Sequence, residues 1–540
     1  MPLNAQVAYE SLNYNLRSLN QTDSKKPYLD SNVRFSSFHP NLYTDKHQDG
    51  QYYRSYKPIN EKDSTFLIRR KHKERSGIIR KLFYENLVMI DTGLLHITID
   101  PLINLSSGRD RYEVDIYVSD GRGNQLYNSI YTNTRGISLR ADIGNKFSME
   151  SYFYENQAVL PFYIDSFVQE RSVVPGQGRV KSFKEEGFDF SQAGAYFSYA
   201  PWKNFNLQFG HHKHFIGDGY RSLMLSDNSF NYPFLRLNLW LLKNRIAYSV
   251  MYTSFQNLDR LPTASTAEAP FRRKAGSFHN IDIFATKWLK FNLFQSMIWK
   301  TMDENGKSDI NYNMFNPIIY INPALYGLDD ENNAVLGIGY KADAGKKLDF
   351  YGQMIVDDND FNKMGYQLGL AYFLVKNLRF MLEWNKVDPY TYSSSVDTNQ
   401  SNMHYNQPLA HPLESGFEEI LIKIDSRYRR MVFNSQFGIA NFQEKGQKIN
   451  EVNVVRTIVP GPNIYEESFT HKTRWFYFNI ELGYLVNPAT NLKVFANATY
   501  RDMSYEGLNR EMNKKPLVAI KSTFFYFGIR TDLRNIYTDF

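Results

Sequence analysis

The chain has 540 residues, 39 Tyr, 40 Phe, 6 Trp, no cysteine and a formal net charge of +7. The missing thiols exclude disulfides, cysteine-held zinc or iron–sulfur sites and thiol nucleophiles, and no run approaches the ~18 consecutive apolar residues of a spanning helix. With 16% aromatic and 22% charged residues the chain is not a disordered polymer, which leaves a large β-rich protein or a transmembrane β-barrel.

At the start, Asn4-Ala5-Gln6 resembles the end of a secretory signal peptide without its apolar region, so export is expected. Residues from about 6 to 65 are polar with no sustained period and read as an extended or weakly helical arm. Arg69, Arg70, Lys71, Lys73, Arg75, Arg80 and Lys81 carry much of the surplus charge. No nucleic-acid motif accompanies them, and a solvated or lipid-headgroup-facing stretch is expected instead. In Gly77–Val88 the apolar Ile78, Leu82, Phe83 and Leu87 fall at helical spacing with a basic opposite face, which predicts a short helix.

From Thr92 the period becomes two. Phe476, Phe478, Ile480, Leu482 and Tyr484 alternate with Tyr477, Asn479, Glu481 and Gly483, and the same dyad recurs around Leu368, Leu382 and Phe433. One face is greasy and the other polar or small, which suits lipid outside and a watery lumen inside better than the two faces of a sandwich. Trp202, Trp240, Trp288, Trp299, Trp384 and Trp475 sit near strand ends, where interfacial girdles form. The run Ser522–Leu533 alternates and the chain finishes on Phe540, as barrel chains often end in a strand with a terminal aromatic. At ~25 residues per strand and connection the chain after residue 90 yields about 18 strands. The longer loops are expected at Arg171–Gly187, Leu258–Ser277, Tyr390–Glu419 and Gln443–His471. The predicted fold is an all-β transmembrane antiparallel barrel over 91–540, preceded by a polar arm and short basic helix over 1–90.

Catalytic constellations are few. His212 and His214 share one strand face and could chelate, yet no third ligand is apparent. Ser222 has no strand-turn-helix elbow to expose a nucleophile, and Gly217-Asp218-Gly219 reads as a turn that presents Asp218, Tyr220 and Arg221. The stretch Glu383–Tyr392, followed by Tyr405–Leu413, combines Trp, Tyr, Asn, Asp and Gln. Planar rings that stack on sugars and amides that bridge hydroxyls are what a carbohydrate site uses. A wet loop at a strand end has the same composition.

The run from Gly210 through Phe215-Ile-Gly-Asp-Gly-Tyr-Arg-Ser-Leu-Met-Leu-Ser-Asp-Asn228, with Asn231-Tyr-Pro233, resembles the signature region of Wzi-like capsule-assembly outer-membrane proteins. Together with Arg80–Leu87, Asn133–Gly136, Glu155–Gln157 with Pro161, Glu383–Tyr392 and Gln407–Leu413, it is similar to the Bacteroidetes branch known for the gliding-motility protein RemB. Enterobacterial members carry a Trp-Gly-Pro-Gly-like turn where this chain has Ile216-Gly217-Asp218-Gly219. The resemblance implies a non-enzymatic barrel in the outer membrane of a Gram-negative bacterium, with its helical element toward the periplasm, where it could serve as a plug. It also implies that the barrel binds surface polysaccharide for capsule attachment or gliding adhesion. The alternative is an accessory subunit of the gliding or type 9 secretion machinery that works through protein contacts. The expected ligand contacts are Asp218, Tyr220, Arg221, Asp227 and Asn228, with Trp384, Asn385, Asp388 and Tyr390 as a second group; no cofactor, metal or nucleic acid is called for.

Overall fold

The computed structural model describes residues 7–10, 36–44, 76–443 and 468–540, apart from short stretches in connections and in the last ten residues. Most of the 6–65 arm, the cluster Arg69–Arg75 and most of the loop Gln443–His471 lie outside the described residues.

Eighteen strands close into one antiparallel barrel. They are β1 (Leu95–Ile116), β2 (Asn124–Ile143), β3 (Phe147–Val159), β4 (Gly187–Trp202), β5 (Phe205–His212) and β6 (Tyr232–Leu241). Then come β7 (Ile246–Arg260), β8 (Phe271–Phe284), β9 (Leu289–Lys300), β10 (Asn333–Ala344), β11 (Leu348–Asp357) and β12 (Asp360–Val375). The last six are β13 (Leu378–Val387), β14 (Phe417–Tyr428), β15 (Met431–Phe442), β16 (Ser468–Asn487), β17 (Leu492–Leu508) and β18 (Leu517–Arg530). β18 pairs with β1 over Arg530↔Asn104 to Val518↔Ile116 and completes the cylinder. Closure leaves no long unpaired edge, the liability of an open sheet.

The dyad fixes the faces, because successive side chains point to opposite sides of the pleat. On β13, Arg379, Met381, Glu383 and Asn385 are buried in the lumen; on β16, Tyr477 and Glu481 are, while Phe478, Leu482 and Tyr484 are exposed on the outer wall. At one end the strands join by tight turns, such as residues 242–245, 429–430 and 488–491; at the other run the long connections 160–186, 213–231, 301–332 and 388–416.

The lumen is not open space. The 213–231 and 388–416 loops fold into it, joined by Ser36–Pro40 from the arm and by the residues after β18. Ser36 and Ser37 donate to the Asp282 carboxylate on β8 at 2.6–2.9 Å. Phe38 and His39 pair with Phe215 and Ile216 of the 213–231 loop. Arg236 on β6 donates to the Phe38 and Pro40 carbonyls and lies 3.9 Å over the Phe38 ring.

The expected terminal aromatic of the last strand is not found in that role. β18 stops at Arg530, Thr531 exchanges hydrogen bonds with Ile103 of β1, and the chain then leaves the wall for the lumen. Phe540 is buried there against Tyr163 and Phe167 of helix α2 (Phe162–Arg171). The tryptophans also divide differently from a single girdle. Trp202 and Trp288 are exposed at the tight-turn end and Trp384 faces outward, but parity turns Trp240 and Trp475 inward. Trp299 points outward and is nevertheless buried, because residues 311–326 of the connection after β9 fold back as a flap over the outer faces of β7 to β9. Met314 of this flap packs with Ala275, Met297 and Trp299; Tyr252 donates to the Phe315 carbonyl at 2.9 Å and Tyr248 to that of Pro317.

Helix α1 covers Gly77–Phe83, shorter than the periodicity suggested. It ends because Asn86 and the Leu87 N–H both turn to the Asp100 carboxylate, at 2.6 and 2.9 Å. Val88–Asp91 then extends as a strand along His96–Ile99 of β1.

Candidate functional site

The expected residues of the 213–231 loop converge in the lumen, and they do so as a braced cluster. Gly219 lies against the wall: a Cβ there would collide with the Glu383 carboxylate and with Tyr351. That close approach lets the Tyr220 and Arg221 N–H groups donate to the two Glu383 oxygens at 2.6 and 3.2 Å, while the Tyr351 hydroxyl donates at 2.8 Å. Arg221 is fully buried. Its Nη2 meets Glu419 Oε1 at 2.8 Å, Asp539 Oδ2 at 3.0 Å and the Asp539 carbonyl at 2.9 Å. Asn385 and His411 donate to Glu419 Oε2 at 2.9 and 3.0 Å. The Leu413 N–H donates to His411 Nδ1, so the ring proton sits on Nε2. Burial holds His411 below its ordinary imidazole value despite the Glu419 charge beside it.

Asp218 is bound to Lys290 at 2.8 Å. Burial pushes its carboxyl up, but the ammonium groups of Lys290 and Lys341 outweigh that and hold it below the usual carboxylate value. Asp227 accepts from Tyr537 at 2.7 Å and Asn535 at 3.0 Å, which ties this loop to the chain's last residues. Asn228 donates to the Ala410 carbonyl, and the Tyr392 hydroxyl donates to the Leu223 carbonyl at 2.8 Å, so the two luminal loops are laced together.

The second expected group is divided. Asn385 belongs to the Arg221 cluster. Trp384, one residue earlier and hence on the other face, donates to Glu418 at 2.8 Å on the outer wall. Asp388 and Tyr390 lie at the long-loop rim, where Asp388 accepts from the Met364 N–H at 3.3 Å and Tyr390 is half exposed with φ 63°.

Beside this cluster lies a cavity of about 330 Å³, at the lower end of the ~300–1,000 Å³ typical of small-ligand sites. Tyr220, Tyr537 and Asp539 form part of its lining, and β14 to β18 supply Lys423, Gln436, Tyr477, Asn479, Glu481, Lys493, Asn497, Tyr526 and Arg530. Lys423 lies 4.2 Å over the Tyr220 ring and donates to Gln436 at 3.1 Å. Glu481 is bracketed by Lys493 at 2.7 Å and Arg530 at 2.5 Å. Asn479 bridges Asn497 and Thr499. Rings, amides and fixed charges therefore face one luminal space. Sequence reasoning missed these wall residues because it looked for chemistry in loops; their signal was the recurrence of polar residues on the inward member of the dyad on β14 to β17.

Two other sequence candidates resolve structurally. His212 and His214 do share a face, with ring centroids 6.4 Å apart, and both pack among Tyr152, Tyr196, Tyr232 and Phe234. The Ser222 hydroxyl donates to the Ile216 carbonyl and accepts from the Met224 and Leu225 N–H groups, so it caps a turn.

No protein-family model matches the chain. No curated protein matches it either. Among solved structures it is similar to Wzi of Escherichia coli, a carbohydrate-binding β-barrel of the outer membrane involved in group 1 capsule assembly. The TM-score is 0.51 at 13% identity, over 97% of this chain and 99% of that one. OccK11 of Pseudomonas aeruginosa and OccAB2 of Acinetobacter baumannii also match, each with a TM-score of 0.38 and 9% identity, over 80% and 79% of this chain and 96% and 98% of theirs. At 13% identity the property shared with Wzi is the fold, a closed barrel that extends over nearly the whole of both chains.

Proposed function

We propose that the protein is an outer-membrane barrel that binds polysaccharide without chemically altering it, its long loops facing the cell exterior. The observation that carries this is the luminal cavity, where tyrosine rings, carboxamides and two lysines surround a volume suited to the end of a glycan chain. The Wzi-like fold supports the reading, since that relative binds carbohydrate. Tyr220, Lys423, Gln436 and Asn479 are the direct contacts in this view. Asp218, Arg221, Asp227, Asn228 and Asn385 hold the luminal loops that shape the cavity, and Asp388 and Tyr390 meet the polymer at the rim. Trp384 anchors the outer wall. Capsule attachment or surface adhesion in gliding is the cellular setting that the sequence resemblance attaches to this activity.

The test is retention of purified surface polysaccharide by the detergent-solubilised barrel. A Lys423→Ala/Asn479→Ala variant should lose most of the binding, and Leu482→Ala on the outer wall should keep it. Equal binding by all three proteins, each with the same heat-modifiable gel mobility, would remove the cavity from consideration.

A further inference from the structure

Helix α1 is docked the wrong way round for a surface helix in water. Its polar side is held by the protein: Asn487 donates to the Lys81 and Glu85 carbonyls at 2.8 and 2.9 Å, Arg80 and Lys81 flank the buried Glu85, and Arg430 stands 5.2 Å over Tyr84. Its apolar side is bare, with Ile78 81% and Leu82 48% exposed and Ile79 and Phe83 beside them. A helix in contact with water normally buries that stripe. The bare stripe is also continuous with the barrel's outer wall. Five residues after the helix, Val88 and Ile90 lie in the sheet opposite Ile99 and Ile97 of β1, and both are exposed on its outer side.

We infer that residues 77–91 form an interfacial anchor whose apolar side lies in the acyl-chain boundary of a phospholipid leaflet at the tight-turn end. The inference rests on the outer-membrane reading. The occupant follows from two features. The exposed residues extend a surface that a barrel presents to lipid. The rim around them is basic, with Arg80, Lys81, Arg429 and Arg430 near the tight turn at 429–430, which favours anionic headgroups. The helix is short, so burying four large apolar side chains in the leaflet does for it what a hydrophobic core does for a longer one.

The absence of cysteine makes the test direct. Ile78→Cys, Leu82→Cys and, as a wall reference, Leu482→Cys are each labelled with an environment-sensitive fluorophore. The full-length proteins are then reconstituted in phosphatidylcholine vesicles with and without phosphatidylglycerol. Labels at 78 and 82 should be quenched by brominated acyl chains and shielded from aqueous iodide, more completely with phosphatidylglycerol present. Iodide quenching at 78 and 82, with lipid quenching only at 482, would overturn the anchor while leaving the membrane barrel intact. Shielding of 78 and 82 from both quenchers would also overturn it, in favour of a protein partner. Loss of lipid quenching at 482 as well would remove the outer-membrane reading and the anchor with it.

Discussion

Arg221 is fully buried inside the barrel, its guanidinium held by both carboxylate oxygens of Glu419 and by the carboxylate and carbonyl of Asp539. Removing one member of a buried charge cluster leaves the others desolvated and uncompensated, at a cost of ~3–5 kcal/mol. Arg221→Ala should therefore lower the thermal unfolding midpoint of the purified barrel in detergent, and Arg221→Met combined with Glu419→Gln should recover part of the loss, because the second change withdraws a stranded charge. At this scale the sequence was legible in kind but not in role. The Asp218-to-Asn228 run was recognisable as unusual, yet nothing in it revealed that Arg221 would meet Glu419 and an aspartate 318 residues away. A charged residue in a loop looks the same whether it reaches for ligand or for its own wall, and only the burial of its partners distinguishes the two.

At the level of elements, alternation was the strongest signal, because a one-residue slip would exchange lipid-facing and luminal side chains along a whole strand. It placed Glu383 and Asn385 inward and Trp384 outward, and it identified the inward set on β16. It failed for Trp299, whose outward parity is correct but whose surroundings are set by the flap of residues 311–326. The flap's helix α3 (Ile321–Tyr326) and the turn at Tyr312–Phe315 had no periodic signature long enough to read. The flap also covers polar outward residues on β8 and β9: Ser277, His279 and Gln295 are buried, and the Tyr320 N–H donates to Gln295. Trp299→Ala opens a void beneath Met314 and Phe315, and large aromatic truncations in packed sites cost ~3–5 kcal/mol. The expected result is faster proteolytic cleavage within 301–332, with the barrel's own heat-modifiable mobility retained.

For the whole molecule, length and composition were enough to reach a barrel of this size, but they could not show that the lumen is filled. The filling comes from segments with no common sequence character: Ser36–Pro40, the 213–231 and 388–416 loops, and the residues after β18. Tyr537, Asp539 and Phe540 bridge Asp227, Arg221 and α2, and Tyr537 and Asp539 also line the cavity. Deleting residues 535–540 should convert a poorly conducting barrel into one with measurable ion current in planar bilayers; an unchanged current would mean that the loops alone seal it. The same arrangement constrains how the protein is made. Ser36 bonds a strand 246 residues ahead of it, and Tyr537 bonds a loop 310 residues behind it. Contacts so distant in the chain pay their loop-closure entropy before they return any stability, and they form late and slowly. Ser36–Pro40 and the residues after β18 thus dock only once the parts that receive them, β8 and the 213–231 loop, have taken their places in the lumen.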